Sequence, residues 1–194
     1  MKIRPTGGAV YRLKVTLRGT KPPIWRRFLV PGGITLKRFH DALQAVMGWT
    51  DSHLHQFEAR GILYGTSDRD FGFQRVSEGR TTLDQVLRRP RDRMGYEYDF
   101  GDSWEHNIVL EEILPPQPDG CYPVILAGKR ACPPEDVGGI PGYSRLLEAL
   151  ANPRHPEHRE MLEWVGGAFD PERFDPREAN LAIHGGWVRN EPDA

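Results

Sequence analysis

The chain has 194 residues, 26 Lys or Arg against 27 Asp or Glu, and a net charge of −1. That balance is ordinary for a globular protein long enough to bury a sizeable core. Met1 to Val10 contains no apolar signal segment, no later run reaches membrane-spanning length, and the 17 Pro and 21 Gly are dispersed. These features give no sign of a signal peptide, a membrane span or a low-complexity tract and make a cytoplasmic location the expectation. Cys121 and Cys132 lie outside any CxxC pair and are expected to be reduced thiols.

The charge is unevenly spread. In residues 1–50, ten Lys or Arg face Asp41 alone, giving +9, and the remaining 16 basic and 26 acidic residues give −10. Such an asymmetry suits either a nucleic-acid surface or attraction between two parts of one fold.

Tyr11, Leu13, Val15 and Leu17 alternate with Arg12, Lys14, Thr16 and Arg18, the period of a strand with one core face and one basic face. The basic face is expected to guard an exposed sheet edge. Ile24 to Val30 reads as a second strand returning antiparallel to the first. Leu36, Phe39, Leu43, Val46 and Met47 then fall at helical spacing, with Thr35 placed to cap the start and Gly48 to stop the end. His53 to Ala59 alternates at period two, so His53, His55 and Phe57 are expected on one strand face, where two imidazoles can reach one ion. Gly65 to Gly79 reads as a long exposed loop. Within it Arg75-Val76-Ser77 copies a fragment of the serine-recombinase nucleophile motif, which is rejected because it lies in a mid-chain loop and not after an N-terminal strand. Thr81 or Thr82 is placed to cap a short helix through Leu87.

The densest chemistry lies between Tyr96 and His106. Tyr96, Tyr98 and Phe100 alternate with Glu97 and Asp99, and Trp104, His106, Ile108 and Leu110 resume the pattern after Gly101-Asp102-Ser103, the signature of a hairpin. Its turn is expected to gather Asp99, Asp102 and His106 at one end of a sheet. Val124-Ile125-Leu126 reads as a strand buried on both faces. A Gly- and Pro-rich loop from Gly128 to Tyr143 carries Cys132, Glu135 and Asp136, and three helical segments follow. The last of them is expected to be a short helix opened by Asp175-Pro176, with residues from Gly185 onward frayed.

His53-Leu54-His55-Gln56-Phe57, then Tyr98-Asp99-Phe100-Gly101-Asp102-Ser103-Trp104-Glu105-His106, then Ala131-Cys132-Pro133-Pro134-Glu135-Asp136 with Gly138-Gly139 and Gly142-Tyr143, together resemble the plasmid pRiA4b Orf3-like family. The likeness runs from Tyr11 to Ile183 and includes Pro22-Pro23-Ile24-Trp25-Arg26-Arg27. The resemblance implies an α+β fold and kinship with bacterial and archaeal proteins of unassigned activity, some associated with plasmids or transposons and some carrying a resolvase-type name. Many relatives carry a second cysteine where this chain has Val137, so a metal site built on that cysteine would lack a ligand here.

The expected architecture is a single α+β domain over 1–184, with a mixed, mainly antiparallel sheet in 9–127, one helix after the first hairpin, a loop and C-terminal helical portion in 128–184, and a tail from 185 to 194. Two functions of different class follow. In one, the protein is a binding or accessory module whose aromatic hairpin, Tyr96, Tyr98 and Trp104, and basic face, Arg12, Lys14 and Arg18 with Arg26 or Arg27, contact a protein or a nucleic acid. In the other, it is a metal-dependent or acid-base enzyme. His106 would be the base oriented by Asp99 or Asp102, Cys132, Glu135 and Asp136 would line the site, and His53, His55, His106 and Cys132 would serve a zinc ion, or the carboxylates a harder divalent cation.

Overall fold

A computed structural model describes residues 8–66, 75–118 and 120–187. The opening alternation becomes β1 (Val10–Leu17), which pairs antiparallel with β2 (Trp25–Pro31). α1 (Leu36–Met47) follows, with the Thr35 side chain accepting from the Arg38 amide and Gly48 closing it in a left-handed conformation. β3 (His55–Ala59), β4 (Ile62–Gly65), β5 (Val76–Ser77) and α2 (Leu83–Val86) lead to the central hairpin of β6 (Arg93–Tyr98) and β7 (Trp104–Leu114). β8 (Val124–Lys129), α3 (Gly139–Ala151), α4 (His158–Trp164) and α5 (Pro176–Trp187) complete the chain.

The eight strands form one sheet in the order β5-β4-β3-β6-β7-β1-β2-β8, with β4 and β5 parallel and the other pairs antiparallel. The α+β class and mainly antiparallel sheet match the pattern of the sequence. Tyr11, Leu13, Val15 and Leu17 of β1 are buried in the same core as Phe28, Phe39 and Phe57. Phe39 of α1 packs edge-on to Phe28 and stacks on Phe57, with centroids 5.8 and 6.3 Å apart, so the helix is pinned to strands from both halves of the sheet.

Four sequence expectations are corrected. β1 is not an edge strand, because it lies between β7 and β2. Its cations meet acids of β7: Arg12 pairs with Glu111 and Glu112, and Arg18 with Glu105. Alternation alone cannot distinguish a guarded edge from a strand whose polar face is matched by a neighbour. β8, in contrast, is an edge strand, and Leu126 is exposed. The edge is covered by α5, whose Asn180 accepts from the Ile125 amide at 2.7 Å and donates to the Ile125 carbonyl at 3.0 Å, occupying groups that a further strand would need. α5 is twelve residues long and runs through Gly185 to Trp187; residues 188–194 lie outside the described residues. Residues 65–79 are not wholly loop, since Val76–Ser77 forms β5 and Glu78 beyond it is buried; 67–74 lie outside the described residues.

The glycine-rich loop is also shorter than its composition implies, as α3 begins at Gly139. Gly138 and Gly139 have φ of 90° and 66°, and a Cβ on Gly139 would lie 2.5 Å from the Asp102 carbonyl oxygen. A Cβ on Gly142 would overlap the Val137 carbonyl oxygen. Gly142→Ala is therefore expected to cost about 1–3 kcal/mol through forced backbone displacement, measurable as a lower urea midpoint. An unchanged midpoint would contradict this close approach.

Candidate metal centre at the hairpin end

The β6–β7 turn is held by Asp99 itself. Its backbone is left-handed, with φ 57°, a conformation asparagine and aspartate tolerate better than most residues. Its Oδ1 accepts from the Gly101 and Asp102 amides at 2.9 and 3.3 Å. Oδ2 points instead toward His53, 3.8 Å from Nε2. Asp136, also left-handed at φ 59°, brings Oδ1 to 3.1 Å from the same His53 nitrogen. The donor atoms of His53, Asp99 and Asp136 thus all lie within 4.8 Å of one another. Asp99 is nearly buried and Asp136 largely exposed, so the cluster opens on one side.

The loop carrying Asp136 is tied to the hairpin and to the connector after α1. Glu135 accepts from the Tyr98 hydroxyl through Oε1 and from the Thr50 amide and hydroxyl through Oε2, the latter at 3.0 and 2.7 Å. Burial and the adjoining Glu135 carboxylate push the Tyr98 phenol well above its ordinary range, so it stays a donor at neutral pH. Trp49 Nε1 donates to the Pro133 carbonyl at 3.0 Å, and the Gly138 amide donates to Asp102 Oδ2 at 3.1 Å. Four carboxylates of the two motifs therefore have distinct parts: Asp102 and Glu135 fasten the loop, while Asp99 and Asp136 face His53.

The expected pairing of His106 with Asp99 or Asp102 is not what the chain forms. His106 stands opposite Tyr96 and Leu17 in the sheet, is buried among Tyr96 and Trp49, and its ring nitrogens have no hydrogen-bond partner among the described residues. Burial, with the Arg26 cation adding, lowers its pKa to about 4 against the pull of the neighbouring Trp104 and Tyr96 carbonyls, so the ring is neutral. Nor do His53, His55, His106 and Cys132 converge. The Cys132 thiol lies 2.9 Å from an Arg26 donor and 3.0 Å from Met47 sulfur, and burial pushes it up to about 11 against the pull of that cation. A thiol held protonated is a poor zinc ligand.

His53 lies before β3, and its ring contacts Asp136 whereas that of His55 contacts Glu78. His55 Nε2 contacts Glu78 at 2.7 Å, and its ring stacks on His40 with centroids 3.5 Å and planes 6° apart. His40 Nε2 contacts Asp51 at 2.8 Å and Nδ1 the Tyr96 hydroxyl at 2.9 Å. Because Gln44 donates to that hydroxyl at 3.0 Å, the phenol donates to Nδ1 and His40 carries its proton on Nε2. His40, Asp51 and His55 also lie within 4.8 Å, but parallel stacked rings cannot aim their lone pairs at one ion, and their partners already satisfy them. Sequence reasoning missed His40, Asp51 and Glu78. Asp51 in Trp49-Thr50-Asp51-Ser52 carried a turn signal, whereas Glu78 followed a stretch with no periodicity.

On the basic face, Arg27 makes a two-point ion pair with Glu111 at 2.7 and 2.9 Å, and Lys14 lies over Trp25. Arg26 does not belong to that face. It is buried, donates to the Trp25 and Lys129 carbonyls and to Cys132, and sits over the Phe174 ring.

The model of the "Plasmid pRiA4b ORF-3-like protein" family matches residues 9–178. The chain belongs to this family. An uncharacterised protein of Sinorhizobium fredii, y4hQ, is 43% identical over 178 residues, covering 90% of this chain and 91% of that one. The crystal structure of a protein of unknown function from Methanosarcina mazei, MM3350, superposes with a TM-score of 0.81 at 41% identity, covering 89% of this chain and 98% of its own. The pRiA4b ORF-3-like fold thus spans bacteria and archaea. Among the described residues, no helix is long and apolar enough to cross a membrane.

Proposed function

We propose that the protein binds a divalent cation through His53, Asp99 and Asp136 and acts as a metal-dependent hydrolytic enzyme. The observation that carries this reading is Asp99: two backbone amides hold Oδ1 and leave Oδ2 directed at a histidine that already faces a second carboxylate. Backbone fixing of one oxygen orients the other, the service outer contacts give to metal ligands. One imidazole and two carboxylates suit Mn²⁺, Zn²⁺ or Mg²⁺, and three protein ligands leave coordination positions for water and substrate. The ion would supply an activated water and polarise a carbonyl or phosphoryl oxygen. Of the chain's own groups, Tyr98 and Glu135 hold the loop in register, and Asp99 and Asp136 set the charge.

Acid-base chemistry by His106 draws no support from a neutral ring enclosed in the core. The nucleic-acid module loses much of its basis, because Arg12, Arg18 and Arg27 are paired with acids of β7 and Arg26 is buried. A protein partner met through the aromatic hairpin loses its basis as well, because Tyr96, Tyr98 and Trp104 are buried in the core. Thermal unfolding tests the metal reading. Mn²⁺ at a hundred times its dissociation constant is expected to stabilise the chelator-stripped protein by about 2.7 kcal/mol, and His53→Ala is expected to abolish the gain. Equal gains in both proteins would refute the assignment.

A further inference from the structure

Asp136 belongs to two features at once. Besides facing His53, it lines a cavity of about 280 Å³ whose other walls include Val137, Arg145, Glu160, Met161 and Trp164. The cavity lies where the loop meets α3 and α4. α4 contributes no buried residue, and its Trp164 is 48% exposed, so a large ring is held at the surface beside a thioether and a valine. The charges around it are largely committed: Arg145 donates to Glu157 at 3.1 Å, and Asp136 faces His53. The remaining Glu160 disfavours an anionic occupant, so the lining favours a neutral, apolar one.

From this juxtaposition we infer that the cavity binds a neutral aromatic or similarly sized apolar group of the substrate, whose adjoining carbonyl or phosphoryl oxygen lies at the metal. This deepens the metal reading and rests on it. The dimensions agree: an apolar cavity of about 150 Å³ accepts benzene, so the space here holds one ring with room for its linkage. An indole face and a methionine sulfur are favourable neighbours for such a ring. The cavity therefore selects by apolar size, and the metal by oxygen chemistry.

Two hydroxamic acids with the same chelating head separate these contributions. Benzohydroxamate carries a phenyl ring and acetohydroxamate a methyl group. Titrated calorimetrically into the Mn²⁺-saturated full chain, benzohydroxamate is expected to bind about tenfold more tightly, the gain of enclosing part of a ring. Trp164→Ala and Met161→Ala are each expected to shrink that ratio toward one while leaving acetohydroxamate affinity unchanged. Trp164 is half exposed on a helix without buried residues, so its truncation leaves the core intact. Equal affinities of the two compounds for the unmodified protein, or a ratio indifferent to both substitutions, would overturn the cavity assignment while leaving the metal site standing. Failure of Mn²⁺ itself to bind would overturn both.

Discussion

Acidification from pH 7 to pH 4 is expected to cost the protein about 3 kcal/mol through His106 alone. The folded pKa is about 4, against about 6.5 for an unfolded histidine. Between those values the unfolded chain binds a proton that the folded chain refuses, so stability is fully present above pH 6.5 and falls as pH drops toward 4. The cause is burial: no well-formed hydrogen bond reaches either ring nitrogen among the described residues, the nearby Trp104 and Tyr96 carbonyls favour the proton too weakly to offset the lost hydration, and the Arg26 cation opposes a further positive charge. His40 acts in the same direction, since burial also lowers its pKa despite the Asp51 contact. Urea unfolding at a series of pH values measures the slope. In His106→Leu, which keeps an apolar body of similar size, the loss over this interval is expected to shrink by about 3 kcal/mol. At pH 7 the substitution is expected to cost little, because no well-formed hydrogen bond is removed. A variant with the same pH dependence as the parent would show that His106 is not the titrating group.

Glu135→Ala is expected to destabilise the protein by about 2–3 kcal/mol, because three donors lose one charged acceptor together. The Thr50 amide, the Thr50 hydroxyl and the Tyr98 hydroxyl all converge on that carboxylate. The same substitution frees the segment carrying Asp136, so Mn²⁺ affinity is expected to fall with stability even though Glu135 does not face His53. Glu135→Gln keeps one acceptor oxygen and is expected to recover part of both losses. Urea midpoints and metal titrations of the two variants check this coupling. Loss of stability with full retention of metal affinity would mean that Asp136 is positioned without help from Glu135.

The elements legible in the sequence are those whose local signals agree with their surroundings. Thr35, the apolar spacing of α1 and Gly48 specify one helix from start to stop. The alternation on both sides of Gly101 to Ser103 specifies the central hairpin, and its register follows as Tyr98 opposite Trp104 and Tyr96 opposite His106. The candidate site was legible in part. Asp99 and Asp136 could be singled out as motif carboxylates, yet their meeting at His53 depends on a contact across 37 positions of chain, between the hairpin turn and the loop before α3. Period two placed His53 beside His55, but β3 begins only at His55, and the two rings go to different carboxylates. His106 misled for a related reason. Its nearness in sequence to Asp99 and Asp102 suggested a catalytic group, whereas strand alternation turned it inward with Trp104 and Ile108.

The central claim, a cation held by His53, Asp99 and Asp136, is tested most directly by calorimetric titration of Mn²⁺ into the chelator-stripped full chain. Asp99→Asn and Asp136→Asn are the informative variants, since asparagine accepts the left-handed backbone of both positions and removes only the charge. The account predicts one ion per chain, binding weakened roughly 100-fold in each variant, and unchanged affinity in His106→Leu. Absence of binding in the unmodified protein, or affinity in the two asparagine variants equal to that of the unmodified protein, would contradict it.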